Sequence, residues 1–306
     1  MPHYDETVHT ALSDFISRSD FARNGCIITD LDGTALHEDQ GRILIPEPVE
    51  FGFRKLHSLG RPFILNSLRF PLSILRTFGR EWYTISNSPI PVVTLNGSLL
   101  GHVVQDSGGE MLFEELDAFP LSAEEIDRTI DVIEQLVAED VKEALLFYYP
   151  RDWRIGEVIW TPVAERIITV RNKYVSASSV TAVELPKLRE HLHAEDVCMM
   201  LLLIDLPHDR LMAYQHSNRS SFVTRAGVDK LFGARRMAEL LQVELSSSVG
   251  AGDTEMDRFL SGVGLAVVVG SLPLDYRGIF GTVRLKTSVE FGQMLFDLAA
   301  MVGNRK

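Results

Sequence analysis

The chain has 306 residues, 45% of them hydrophobic and 24% charged, a composition typical of soluble globular proteins and unlike that of disordered or low-complexity chains. Its 30 Lys and Arg residues stand against 42 Asp and Glu residues, and the net charge of −12 argues against binding to a nucleic-acid backbone. The length suggests two domains, or one large one.

Several features favour a cytoplasmic protein. The longest apolar run, residues 197–204, is too short to cross a bilayer. The first ten residues contain no basic segment followed by an apolar core, so we expect no secretory signal. Cys26 and Cys198 both lie in apolar runs, as buried thiols of a reducing compartment do. We therefore expect neither a nucleic acid nor a membrane among the partners, and no pattern specifies an oligomeric state.

The N-terminal third alternates between helices and strands. An amphipathic helix is predicted over residues 5–19, and helices are also predicted to begin near Val49 and at Pro71. Short apolar runs that end in turn residues predict the intervening strands, at 26–29, 62–65 and 91–95. Strands that alternate with helices imply a parallel sheet covered on both faces.

The middle of the chain follows another pattern. Ser122 and Glu125 form a capping box before a helix, and a second helix is predicted over 184–192. Strands are predicted at 144–149, 155–160, 166–170 and 197–204. The first pattern then resumes, with helices at 230–242, 255–260 and 289–301 and strands at 248–251 and 265–269. The sequence thus predicts one α/β domain, residues 1–102 and 221–306, that is split by an inserted module, residues 103–220.

The strongest chemical signal is the run Asp30-Leu31-Asp32-Gly33-Thr34. Its two carboxylates follow a predicted buried strand, and ligands of open parallel sheets bind beyond the carboxyl ends of the strands. Neighbouring carboxylates repel each other unless a cation joins them, so an oxygen-seeking ion such as Mg²⁺ is implied. The alternative is a solvated loop with Asx turns.

This run resembles the first motif of the haloacid dehalogenase superfamily of phosphatases. The other three motifs of that superfamily follow in order: Ser67 at a strand end, Lys230 at a helix start, and the acidic loop of residues 252–257 (Gly-Asp-x-x-x-Asp). The resemblance covers residues 24–100 and 222–303. It implies a Rossmann-like, doubly wound parallel sheet with an inserted α+β cap. An insertion between the second and third motifs resembles the subgroup with an α/β cap. This subgroup includes the Cof-type, sucrose-phosphate, trehalose-phosphate and mannosyl-phosphoglycerate phosphatases.

The resemblance also implies a role for each motif residue. Asp30 would attack phosphorus, and Asp32 would protonate the leaving oxygen and then deprotonate water. Mg²⁺ would be held by the carboxylates of Asp30 and Asp253 and by the backbone carbonyl of Asp32. Ser67 would donate a hydrogen bond to a phosphoryl oxygen, and Lys230 would offset the charge of the phosphoryl group and of Asp30.

Other positions are less typical of the family. Its second motif more often reads Thr-Gly-Arg, whereas this chain has Ser67-Leu68-Arg69, with Arg69 able to fork onto a substrate oxyanion. Met256 replaces a usual Asn, while Asp257 remains and would orient metal-bound water or Lys230.

Each of these residues also has a purely structural interpretation. Ser67 could cap a turn, Asp257 could favour a helix dipole, and Lys230 and Arg69 could be surface cations.

The expected function is Mg²⁺-dependent hydrolysis of a small phosphorylated metabolite, with a sugar or glycosyl phosphate suggested by the subgroup. A phosphomutase of the same superfamily and a non-catalytic binding or regulatory protein are the alternatives. Substrate choice would lie in the insert, where Arg151, Asp152 and Arg154 are candidate contacts or else a solvated loop.

Overall fold

The computed structural model describes residues 6–39, 42–204 and 220–304. Within these residues there are fifteen strands: β1 (Ile27–Thr29), β2 (His37–Asp39), β3 (Arg42–Leu44), β4 (Phe63–Asn66), β5 (Ile90–Thr94), β6 (Leu99–Gln105), β7 (Met111–Ala118), β8 (Ala144–Pro150), β9 (Val158–Trp160), β10 (Ser179–Thr181), β11 (Val197–Ile204), β12 (Ser220–Val223), β13 (Val249–Gly252), β14 (Leu265–Val269) and β15 (Gly281–Leu285). The same ranges contain ten α-helices: α1 (Glu6–Arg18), α2 (Phe21–Asn24), α3 (Glu47–Ser58), α4 (Pro71–Thr77), α5 (Gly79–Ser86), α6 (Ala123–Ala138), α7 (Ile167–Lys173), α8 (Leu185–Ala194), α9 (Lys230–Leu240) and α10 (Ser288–Gly303). None of these helices is both long and apolar enough to cross a membrane.

Eight strands form the larger sheet, in the order β15-β14-β13-β1-β4-β5-β6-β7. The strands from β15 to β5 all pair in parallel, and β6 and β7 add an antiparallel edge. Strand β1 lies between β13 and β4, so the residue that follows it stands near the middle of the sheet's carboxyl edge.

Successive residues of β1 face opposite layers of the domain. Ile27 packs in a cluster with Phe53 of α3 and Leu295 of α10, whereas Ile28 packs in a cluster with Met237 of α9. Because both faces are covered, the strand is a continuous apolar run and does not alternate with polar residues. The predicted α/β fold with a doubly wound parallel sheet is confirmed.

The insert has its own five-stranded sheet, in the order β10-β9-β8-β11-β12. Helices α6 and α8 cover one of its faces, where Leu146, Tyr148 and Trp160 are buried. The neighbouring residues Phe147 and Tyr149 point to the other face and share a continuous apolar cluster with the larger domain. The side chains of β8 thus join the insert's helices to the rest of the protein.

Two predicted segments and one predicted domain boundary differ in the structure. Residues 166–170 were predicted as a strand but lie mostly in helix α7, where Val170 is buried and Ile168 is 72% exposed, because so short an apolar run does not distinguish a strand from a helix. The predicted helix over 255–260 is instead a 3₁₀ turn at Arg258–Ser261. The boundary predicted after residue 102 falls within β6, because β6 turns back along β5 and remains, with β7, in the larger sheet. Residues 205–219 of the predicted insert lie outside the described residues.

Candidate active site

Asp30 follows the central strand directly and is buried at the carboxyl edge of the sheet. Its backbone N–H donates to the carbonyl of Ala251 at 2.9 Å, which continues the pairing of β1 with β13. Its carboxylate Oδ1 accepts a hydrogen bond from Lys230 Nζ at 2.7 Å. The topology therefore places the predicted nucleophile beside the predicted lysine, although 200 residues separate them in sequence.

Gly33 allows the loop after Asp30 to approach the acidic loop. It has a φ of +78°, which side chains other than glycine rarely adopt. A Cβ atom at this position would lie 2.1 Å from Asp253 Oδ2, closer than any real contact. The glycine is thus required both by the backbone conformation and by the space that Asp253 occupies.

Lys230 joins two carboxylates. Its ammonium group donates to Asp30 Oδ1 and to Asp257 Oδ1, both at 2.7 Å, and all three groups are buried. Burial alone would lower the pKa of Lys230, but the charges of Asp257 and Asp30 raise it above its usual value. Asn66, at the end of β4, donates from Nδ2 to the backbone carbonyl of Lys230 at 3.0 Å. Sequence reasoning missed Asn66, although an Asn that ends an apolar strand is a usable signal.

Asp257 organises the acidic loop. Its Oδ2 accepts hydrogen bonds from the backbone N–H groups of Asp253 and Thr254, both at 2.9 Å, while its Oδ1 accepts from Lys230. Both oxygens are thus engaged. Asp30 and Asp253 also accept hydrogen bonds, through Oδ1 from Lys230 and Thr34 respectively, but Asp257 is the acid that accepts through both oxygens, which agrees with an orienting role for it.

The three acids fit a divalent cation. One oxygen from each of Asp30, Asp253 and Asp257 lies within 4.8 Å of the others. Oxygens bound to Mg²⁺ lie about 2.1 Å from the ion and so at most about 4.2 Å apart, which small side-chain shifts would achieve here. Burial raises the pKa of Asp30, and burial together with the charge of Asp257 raises the pKa of Asp253 to about 6. Both shifts disfavour the ionised form of these acids, and a bound cation would favour it.

Asp32 is not one of the three grouped acids and is paired with Arg69 instead. Its two oxygens accept hydrogen bonds from Arg69, Oδ2 from Nε at 2.7 Å and Oδ1 from Nη2 at 2.6 Å. Arg69 is only 1% exposed, and Phe78 lies under its guanidinium with 5.1 Å between Cζ and the ring centroid. The structure thus places the Arg69 fork on Asp32, whereas the sequence suggested a substrate oxyanion.

Ser67 lies in the motif-two loop, residues 66–70, and is buried. Its Oγ accepts a hydrogen bond from the backbone N–H of Arg69 at 3.1 Å, which is the turn-capping interaction expected of a serine there. The hydroxyl proton remains available for a further acceptor, so capping the turn and donating to a phosphoryl oxygen are compatible.

The polar stretch that begins at Arg151 lies away from this cluster. Arg151 donates to Glu115 Oε1 on β7 at 2.9 and 2.6 Å, and Arg154 lies over Trp153. Strand β7 is four steps from β1 in the sheet, a separation of about 19 Å at the usual strand spacing. Arg151, Asp152 and Arg154 therefore line a cleft at the sheet edge and not the predicted site.

A family model described as haloacid dehalogenase-like hydrolase matches residues 27–272, which is most of the chain. The protein belongs to this family. The resemblance predicted from the four motifs and the prediction of an enzyme are therefore confirmed. No curated protein matches the chain significantly.

Solved structures show the same fold. The phosphatase BT1666 from Bacteroides thetaiotaomicron has a TM-score of 0.64 at 15% identity, over 91% of this chain and 96% of its own. The subclass IIB sugar phosphatase BT4131 has a TM-score of 0.61 at 15% identity, over 88% and 96%. TM0651 from Thermotoga maritima has a TM-score of 0.57 at 18% identity, over 90% and 96%. The match extends over nearly the whole of each chain, so it includes the insert as well as the larger sheet.

Proposed function

We propose that this hydrolase is a Mg²⁺-dependent phosphatase that cleaves a small phosphate monoester through an aspartyl-phosphate on Asp30. The observation that carries the proposal is the position of Asp30. It lies at the end of the central strand, it is hydrogen-bonded to Lys230, and it lies within 4.8 Å of two further carboxylates. The residues that we propose as nucleophile, as neutralising lysine and as metal ligands are therefore neighbours.

The first step transfers the phosphoryl group to the protein. An Asp30 oxygen attacks phosphorus, the bond to the leaving oxygen breaks, and Asp32 gives that oxygen its proton. Lys230 faces Asp30 at 2.7 Å and is placed to offset charge on the transferred group. In the second step Asp32 takes a proton from the water that attacks phosphorus, which frees Asp30 and releases phosphate.

Asp30 and Asp253 would hold the metal, and the backbone carbonyl of Asp32 is a third candidate ligand. Bound there, Mg²⁺ would shield the anionic ester from the anionic nucleophile. Ser67 would donate its free hydroxyl proton to a phosphoryl oxygen.

The substrate class is a sugar or glycosyl phosphate. The insert would be the cap that selects substrate, and the shared fold with the sugar phosphatase BT4131 over 88% of this chain supports this proposal. Of the described residues, 119–204 and 220–223 form this cap, since β7 still pairs in the larger sheet. The free, buried Cys26 and Cys198 agree with the predicted cytoplasmic location.

The test is hydrolysis of an aryl phosphate with and without Mg²⁺, by the wild type and by Asp30→Asn. Asp275→Asn is the matched control, since that side chain is 92% exposed. We expect Mg²⁺-dependent release of phosphate by the wild type and the control, and none by Asp30→Asn. Activity retained in Asp30→Asn would remove Asp30 as the nucleophile. Phosphoryl transfer within a sugar phosphate without phosphate release would indicate a mutase, and tight ester binding without turnover would indicate a binding protein.

A further inference from the structure

The insert touches the motif-two loop through two aromatic rings. Tyr149 of β8 packs against Phe70 with the ring centroids 5.4 Å apart and the planes at 38°. Both residues are buried. Phe70 directly follows Arg69, the residue that holds Asp32. The contact therefore joins the insert to the backbone that carries the Asp32 fork.

A buried acid supports this contact from inside the insert. Glu157 is 0% exposed, and its Oε2 accepts a hydrogen bond from the Tyr149 hydroxyl at 2.6 Å. Its Oε1 accepts from Ser176 Oγ at 3.0 Å. Within the described ranges no Lys or Arg pairs with this carboxyl group. Burying a carboxyl group without a cation is costly, and the hydrogen bonds from Tyr149 and Ser176 offset part of that cost.

The turn that carries Glu157 also touches the larger domain. Gly156 has a φ of +73°, and a Cβ atom there would lie 2.4 Å from Ser178 Oγ and 3.0 Å from Leu72 Cδ2. Leu72 lies in the first turn of α4, three residues after Arg69. The insert thus packs against two residues that follow Arg69, Phe70 and Leu72.

We propose that Glu157, acting through Tyr149, is a positioning residue that docks the insert on Phe70 and Leu72. The docked insert keeps Arg69 in place, and Arg69 in turn keeps Asp32 ready to protonate the leaving oxygen. This inference rests on the proposed function, because it assigns Glu157 an effect on the step that Asp32 carries out.

The chemistry of the acid supplies a conservative variant. Glu157 receives two hydroxyl hydrogen bonds, one on each oxygen. A glutamine has the same shape and can accept from one hydroxyl while its amide donates to the other. Glu157→Gln should therefore preserve the docking, whereas Glu157→Ala removes both bonds and Tyr149→Phe removes one of them and leaves the ring on Phe70.

The neighbouring tyrosine of the same strand is the matched control. Tyr148 is also buried, but it faces helices α6 and α8 on the opposite side of the insert sheet. Tyr148→Phe thus makes the same chemical change one residue away, without touching the contact to the motif-two loop.

The experiment measures kcat and KM of these four variants on an alkyl phosphate and on an aryl phosphate, together with amide hydrogen exchange of residues 67–77. Alkyl leaving groups need the acid, and aryl ones need it little. We expect Tyr149→Phe and Glu157→Ala to lose about tenfold in kcat on the alkyl ester only, and to exchange faster over 67–77. Glu157→Gln and Tyr148→Phe should match the wild type in both measurements.

Equal losses on the two esters would overturn the inference, because loss of folded protein lowers both alike. The inference would also be overturned if Tyr149→Phe gave the same kinetics and hydrogen exchange as Tyr148→Phe. If Glu157→Ala does not fold, Tyr149→Phe and Glu157→Gln still decide the question. A wild type that hydrolyses neither ester would contradict the proposed function. The docking would then be tested by hydrogen exchange over residues 67–77 alone.

Discussion

Replacing Arg69 by Lys is expected to slow the cleavage of esters with poor leaving groups. The fork on Asp32 consists of two charge-assisted hydrogen bonds of 2.7 and 2.6 Å, from an Arg side chain that is 1% exposed. Such bonds contribute about 1.5–3 kcal/mol each when buried. The Asp32 side chain is 39% exposed, which reduces this contribution, and a lysine could restore one contact as a point charge. We therefore expect a loss of about 1–2 kcal/mol in transition-state stabilisation, or roughly five- to thirtyfold in rate.

The assay compares kcat/KM on alkyl and aryl phosphates for the wild type and Arg69→Lys. Arg189→Lys is the control, because Arg189 also binds carboxylates, those of Asp127 and Asp131, but on the outer surface of the insert. Misplacing Asp32 should affect the alkyl ester far more than the aryl ester. A higher KM on both esters with unchanged kcat would show instead that Arg69 binds substrate, and would refute the positioning argument.

Three further predictions concern the buried charges. Asp253→Asn should weaken Mg²⁺ binding at least tenfold, measured by calorimetry without substrate, because it removes a charged ligand; unchanged binding would exclude Asp253 as a ligand. Lys230→Met should lower the free energy of unfolding by about 3–5 kcal/mol in urea titrations without metal, because Asp30 and Asp257 lose their shared cation; an unchanged midpoint would contradict the buried pairing. Burial raises the pKa of Glu157, so the native state binds more protons than the unfolded state. The contribution of Glu157 to wild-type stability should thus fall as pH rises from the ordinary value of about 4.3. The Tm of Glu157→Gln relative to wild type should rise over the same range, whereas a constant difference would contradict the shift.

The larger domain could be predicted from local patterns because its strands are buried on both faces. Short apolar runs such as residues 26–29 end at residues that turn, and amphipathic helices lie between them. In parallel sheets this order fixes which strand ends share an edge. The proximity of Asp30 and Lys230 was implied by the resemblance to the family, since neither neighbours the other in sequence.

The pairing of Asp32 with Arg69 could not be predicted in this way. Both residues lie in loops at the same sheet edge, and an arginine there can turn toward a substrate or toward a neighbouring carboxylate. The choice depends on the cavity around the guanidinium, where Phe78 and Ser73 hold it. Helix α7 was mispredicted for a related reason, since a short apolar run with one buried residue fits a strand or a helix equally well.

The charge balance of the site explains why an acidic protein can handle an acidic substrate. When Asp30, Asp253 and Asp257 are all ionised, as metal binding requires, the single ammonium of Lys230 leaves a charge of 3 − 1 = 2 negative units. A divalent cation cancels this excess, and Arg69 adds a positive charge beside the site when Asp32 carries the proton that it donates. An incoming phosphate ester would then meet a site that is close to neutral, whatever the net charge of −12 on the whole chain. Without the cation the same site would repel the ester, so the ligand set and the proposed chemistry require each other.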